Sequence, residues 1–330
     1  MPYAASWPRK ASYALAALAL LVAARFNLDH ALLAGLFAAM ILGEAHRLLR
    51  EAGAKPFVAR WAAVGFFAVL GALLVVIFAS FVRVGLARLP VLLDRVLPRV
   101  DDLASRFGVA WPVATASDLR PFLLQTLKTN ARSITTASGL LTRGLFQVLV
   151  GVAIAVLRFL SLPADGRPAP RGQGLDAELV HECGVRLSLF SASFERVMGA
   201  QIVIAAINAG VTAAFLVALG LPFRTLLTLT TFVCGLVPIV GNVASNALIV
   251  GAALTVSNRM AAAALVFLVL IHKGEYFLNS RIIGSRIDVP MWATLAGLLV
   301  GEATMGVAGV ILAPTLVYYL REELRAVPRA

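Results

Sequence analysis

Between Arg224 and Arg259 the chain carries no charged residue, yet this longest apolar run contains the stretch Phe232–Asn246, FVCGLVPIVGNVASN. That combination constrains the fold more than any other feature. A continuous helix over 225–258 would be about 50 Å long, against a hydrocarbon core of ~30 Å. Gly235, Pro238 and Gly241 fall in the middle of the run, where Pro forfeits a backbone hydrogen bond and Gly loosens the helix. Non-helical backbone at membrane depth survives only where protein or a wet cavity satisfies its polar groups. The run therefore predicts two helical arms, 225–237 and 242–257, joined by a turn. Asn242 and Asn246, one helical turn apart, then face the cavity.

The segment 290–320, PMWATLAGLLVGEATMGVAGVILAPTLVYYL, has the same character. Gly301, Gly306, Gly309 and Pro314 interrupt a run that is again too long for one span. Two oppositely directed hairpins are a known way of building a midplane site from helix ends and unwound backbone. The same residues also admit ordinary full spans, eight in all, with 273–289 outside.

Composition decides the class. Hydrophobic residues make up 60% of the 330-residue chain and charged residues 14%, against roughly 45–50% and 25% in soluble domains. Because the excess lies in long uncharged blocks, the chain reads as an all-α polytopic integral membrane protein with about eight membrane segments. Residues 1–82 supply the first three membrane helices, the first two joined by a tight turn at Phe26–His30. Arg9 and Lys10 ahead of an apolar stretch resemble a signal peptide, but the apolar segments that follow favour a retained first helix. Residues 83–143 form an amphipathic helical subdomain, with Leu86, Leu89, Leu92, Leu93 and Val96 on one face and a helix cap at Ser117–Asp118. Residues 144–162 make a membrane helix, 163–196 a cytoplasmic loop turning helical from Leu175, and 197–330 a C-terminal transport bundle.

The net charge of +12 could suggest nucleic acid. The bases instead flank apolar blocks, where Arg and Lys mark cytoplasmic ends and snorkel to headgroups, so the partner is the lipid bilayer and not nucleic acid. Arg47, Arg50, Lys55 and Arg60 put the second connection inside, which sends 83–143 outside. Cys183 and Cys234 form no pattern for a disulfide framework or a metal site.

Glu302 is the sharpest candidate for chemistry, being bracketed by apolar blocks on both sides. An intramembrane carboxylate is expensive, so it either serves proton exchange or cation binding, or locks helices through a buried base such as Lys273 or Arg281. Gln201, Asn208 and Thr212 lie on one helix face with Ala205 between them. That stripe can line a permeation path, or pack helices as small and polar residues do. His272–Lys273, at the end of an apolar block, reads as a snorkelled interface pair ahead of a proton relay. No Walker-type loop, HExxH, Gly-x-Ser-x-Gly or intramembrane Asp pair is present, so neither an enzyme, a cofactor nor ATP drive is indicated.

GLVPIVGN at 235–242, FLNSRIIGSRIDVP at 277–290 and GEATMGVAGVILAP at 301–314, in this order, resemble the autoinducer-2 exporter family of membrane transporters. The likeness covers essentially the whole chain. It implies a secondary transporter of the bacterial plasma membrane that exports a small polar solute such as autoinducer-2 or exchanges sodium for protons, assembled as a homo-oligomer, pentamers among them. It matches Pro238 and Gly241 to the family's Pro-x-x-Gly turn, and Gly306, Gly309 and Pro314 to its final glycine-rich segment. The chain departs from the family at Asn242 and Leu248, where Pro is frequent, and at Glu302, where small residues are common; the last favours ion coupling. A passive oligomeric pore and a non-transporting scaffold acting through 83–143 are the rival functions. Cysteines placed at Arg224 and Ser285 are expected to be labelled from opposite sides of the membrane, and labelling from one side would refute the hairpin topology.

Overall fold

Long apolar stretches without ladder partners satisfy their own backbone as helices, and the computed structural model is built of helices accordingly. It describes residues 7–106, 142–163, 174–237, 240–282 and 290–326. Along the chain these are α1 (Trp7–Arg25), α2 (Asp29–Glu51), α3 (Pro56–Arg106), α4 (Thr142–Ser161) and α5 (Leu175–Ala218). They continue as α6 (Arg224–Gly235), α7 (Val240–Leu254), α8 (Asn258–Ile282) and α9 (Met291–Ala326). Among the described residues there is no strand. Five of these helices, α2, α3, α4, α5 and α9, contain stretches long and apolar enough to cross a membrane.

The chain divides into two units, one of Met1–Leu73, Arg143–Gly199 and Arg286–Ala330, the other of Leu74–Thr142 and Ala200–Ser285. The divisions expected at 82/83 and 196/197 fall inside α3 and α5. At α3 the amphipathic face holding Leu92 and Val96 continues the same helix as the apolar span. Ser117 and Asp118 lie outside the described residues.

In the first unit the α1–α2 turn closes as the sequence implies. Asn27 adopts φ 50°, and Leu28 N–H reaches back to the Ala23 carbonyl at 2.8 Å, which ends α1 in a left-handed cap. The core joins Leu36 of α2, Phe190, Phe194 and Met198 of α5, and Leu312 and Tyr319 of α9. Phe37 and Phe194 meet edge to face at 5.0 Å, and Phe190 and Tyr319 at 5.7 Å. At the end of this core the buried Arg186 donates to Glu323 and, at 2.9 Å, to Glu182, while its guanidinium lies 4.6 Å from the Tyr13 ring. Tyr13 donates to Glu323 at 2.9 Å, so one charge cluster ties α1, α5 and α9 together. Removing one member of such a buried pair costs about 3–5 kcal/mol, because the survivor keeps an uncompensated charge.

α9 is a helical hairpin rather than a rod. Gly306 sits at φ 55°, ψ −136°, a conformation open to Gly and closed to most side chains. The chain doubles back there, bringing Gly301 against Gly309 and Gly297 against Ala313 and Val317. The first arm, roughly 15 residues, is ~22 Å long and stops short of a ~30 Å core. Pro314 lies within the second arm.

The second unit packs Leu92 of α3, Leu216 of α5, Leu227 of α6, Ile249, Ala252 and Ala253 of α7, and Ala264 and Leu268 of α8 into one core. α5 ends in a Schellman turn: Gly220 takes φ 62°, its N–H bonds the Val217 carbonyl, and the buried Leu221 N–H bonds that of Leu216. α6 has 12 residues and α7 has 15, about 18 and 22 Å, so neither alone spans the core. α6 and α7 pack on one another, and α8 packs back on α7. Ser257 Oγ accepts the Met260 N–H at 3.2 Å and so caps the start of α8. Pro238 lies outside the described residues, and Gly241 is the second residue of α7.

The α9 turn generates a direct test. A Cβ on Gly301 would lie 2.7 Å from the Gly309 carbonyl carbon and 3.3 Å from Ala313 Cβ, whereas one on Gly43 meets nothing within 4 Å. Gly301→Leu is expected to lower stability by about 1–3 kcal/mol or more through overpacking, and Gly43→Ala, inside α2 with open space around it, to leave it unchanged or raise it by up to about 1 kcal/mol. Unfolding midpoints in detergent micelles check both.

Candidate functional site

The interruption between α6 and α7 frees backbone groups, and the second unit supplies partners for them. On α5 the residues Gln201, Ala205, Asn208 and Thr212 share one face. Gln201 Nε2 donates to the Gly235 carbonyl at 2.6 Å, which satisfies the last turn of α6 from the neighbouring helix. Gly235 makes that contact close: a Cβ there would sit 3.1 Å from Ala205 Cβ, tighter than most such contacts.

One turn along α5, Asn208 and Thr212 are buried and line a small cavity together with Thr231 of α6, Ser245 and Asn246 of α7 and His272 of α8. Its volume is about 20 Å³, enough for one water, since a site of roughly 10–15 Å³ already admits one. Thr231 donates its hydroxyl to the Leu227 carbonyl at 2.8 Å, so towards the cavity it can act as an acceptor. Apart from His272 the polar lining is neutral: two amides and three hydroxyls. Such a set hydrogen-bonds a small polar group or coordinates a weakly charged ion. It lacks the carboxylates that hold a divalent cation.

The cavity opens beside a larger groove of about 670 Å³ between α3, α7 and α8, and Asn246, Leu268 and His272 line both. Gly251 marks where α3 closes on α7, because a Cβ there would lie 3.2 and 3.3 Å from the Val96 methyls.

Of the residues expected from sequence to face a pathway, Asn208, Thr212 and Asn246 are thus brought to one cavity, with Gln201 bracing its rim. Asn242 lies on α7 one turn before Asn246, but its side chain is outside the described residues. Glu302 belongs to the first unit, exposed on the first arm of the α9 hairpin about one turn before Gly306. Gly301, Gly306 and Gly309 shape that hairpin. Thr231 and Ser245 are lining residues that the sequence does not single out, and His272, read there as half of an interface pair, joins them in the lining. Ser245 and Asn246 are adjacent on α7, and a polar pair beside a helix break is the signal that points to both.

A family model described as AI-2E family transporter matches residues 12–329. Among curated proteins, one from Bacillus subtilis (strain 168) named "Putative transport protein YdbI" is 29% identical over 139 residues, 42% of this chain and 40% of that protein. The chain therefore aligns with less than half the length of that relative.

Gln201→Leu is expected to remove the donor from the Gly235 carbonyl and to cost about 0.6–1.7 kcal/mol, the range for hydrogen bonds between membrane helices. Faster amide exchange confined to the end of α6 is the accompanying signature; an unchanged exchange profile would show that the bond carries no weight.

Proposed function

The chain belongs to the AI-2E family of transporters, and on that premise we propose that it is a secondary transporter whose α5–α8 cavity receives the polar group of a small solute. The observation that carries this reading is the convergence of Asn208, Thr212, Thr231, Ser245 and Asn246 on one cavity beside an interrupted helix pair. Polar side chains in apolar helices are costly unless they serve one another or a solute. Helix breaks let backbone and side-chain oxygens reach a midplane site together. No nucleotide-binding loop is present in the sequence, so the driving force is a gradient of the solute or of a coupled ion.

Exchange of a cation for protons is the second reading, and Glu302 favours it. The carboxylate is exposed about 11 residues along the first α9 arm, roughly 16 Å from its start and hence near mid-depth if the hairpin begins at the surface. Outward transport, residence in the bacterial plasma membrane and assembly as a homo-oligomer complete the proposal. The exposed apolar side chains Val69, Leu73, Val75, Val76 and Phe78 of α3 support the last two, since they suit lipid or a second copy of the chain.

In proteoliposomes, Glu302→Gln is expected to reduce coupled flux about tenfold and to flatten its pH dependence, as loss of a membrane-embedded proton carrier would. Full flux with an unchanged pH profile removes Glu302 from the mechanism. Steady single-channel currents would instead support a passive pore, and flux equal to that of empty liposomes a scaffold.

A further inference from the structure

The groove beside the polar cavity is lined in a way that selects the body of a ligand as well as its head. Val96 and Val100 of α3, Val250 and Leu254 of α7, and Leu265 and Val269 of α8 supply its walls. Because α8 returns along α7 after the turn at 255–257, Leu254 lies at the closed end of that pair and Leu265 part-way along it, about level with Asn246. His272 and Lys273 lie towards the other end, with Asn246 nearer the middle of the groove. Asn246 and His272 also line the polar cavity. Lys273 is exposed and forms no salt bridge with a described residue. The site therefore has an aliphatic trough with an ammonium towards one end, and two hydrogen-bonding side chains that lead from it into the polar cavity.

We propose that groove and cavity together bind a small single-chain amphipath with an aliphatic body and an anionic head. The body lies along α3, α7 and α8, and the head sits at Lys273, Asn246 and His272. A polyhydroxylated solute fits poorly, because each hydroxyl laid against Val or Leu gives up water without gaining a partner. A methylene in the same place gains by leaving water. A cationic head would face the Lys273 ammonium. This assignment rests on the transporter reading for what is moved across the membrane, and on the groove alone for what is bound.

The test uses the full chain in nanodiscs, with empty nanodiscs as the partition blank. The probe is 1-octanesulfonate, whose head stays ionised and so does not leak across bilayers as a neutral acid. Octyltrimethylammonium supplies the same body with a cationic head, and ribitol a polar body. Saturable octanesulfonate binding by calorimetry is expected, with no competition from ribitol and weaker binding of the cation. Lys273→Gln should weaken octanesulfonate about tenfold, as loss of one charge-assisted contact does. Gly251→Leu should abolish binding by filling the trough, and Leu265→Ser should weaken it with α7–α3 packing untouched. Equal or tighter binding of the cation, competition by ribitol, full affinity in Lys273→Gln, or a tightly held phospholipid that octanesulfonate does not displace each overturns the proposal. Flux measured in parallel separates the two readings. Octanesulfonate that binds but does not cross sinks the transporter reading alone, whereas a polar solute that crosses while octanesulfonate neither binds nor competes sinks this one alone.

Discussion

A peptide carbonyl placed in hydrocarbon must find its donor within the protein, and every unusual feature of this chain follows from that requirement. Where α6 stops at Gly235, its carbonyl is met by the Gln201 amide of α5. Where α9 reverses at Gly306, the arms pack so closely that Gly301 and Gly309 touch backbone to backbone. Both solutions need small residues at the contact, Ala205 in the first case and the two glycines in the second. The broken helices are thus held by specific contacts, and loss of a single methyl-free position is enough to disturb either.

The charges are distributed by the same logic. A buried Arg186 is acceptable because Glu323 and Glu182 accept from it and Tyr13 both covers its face and bonds its partner. That cluster is self-contained and locks three helices of the first unit. The cavity of the second unit is its opposite: its oxygens belong to Asn, Thr and Ser, so holding a ligand there requires no charge to be neutralised first. Among the described residues lining the groove, Lys273 carries a charge. Hydrogen-bonding side chains in the cavity and the Lys273 ammonium beside it orient an anionic head without trapping it, which suits binding followed by release.

The local features of the fold were legible because they depend on neighbours in sequence. The turn at Asn27, the helix starting at Leu175, the interruption near Gly235 and the reversal in the glycine-rich final segment each follow from residue types within one or two helical turns. The face shared by Gln201, Asn208 and Thr212 follows from spacing alone. Boundaries were less legible. The ends expected at 82 and 196 vanish inside α3 and α5, because a change from apolar to amphipathic composition alters what a helix packs against without ending it.

By itself, then, the order of residues determined the all-helical membrane class, the breaks within the two longest apolar segments, and which polar side chains share a helix face. Periodicity and backbone chemistry act over a few residues and suffice for these. Only the tertiary structure decided that the α5 stripe meets Thr231, Ser245 and His272, that Arg186 finds Glu323 across 137 positions, and that Gly301 lands on Gly309. Those meetings depend on how helices cross and reverse in space, and a close approach between distant positions leaves no mark in the local pattern of either.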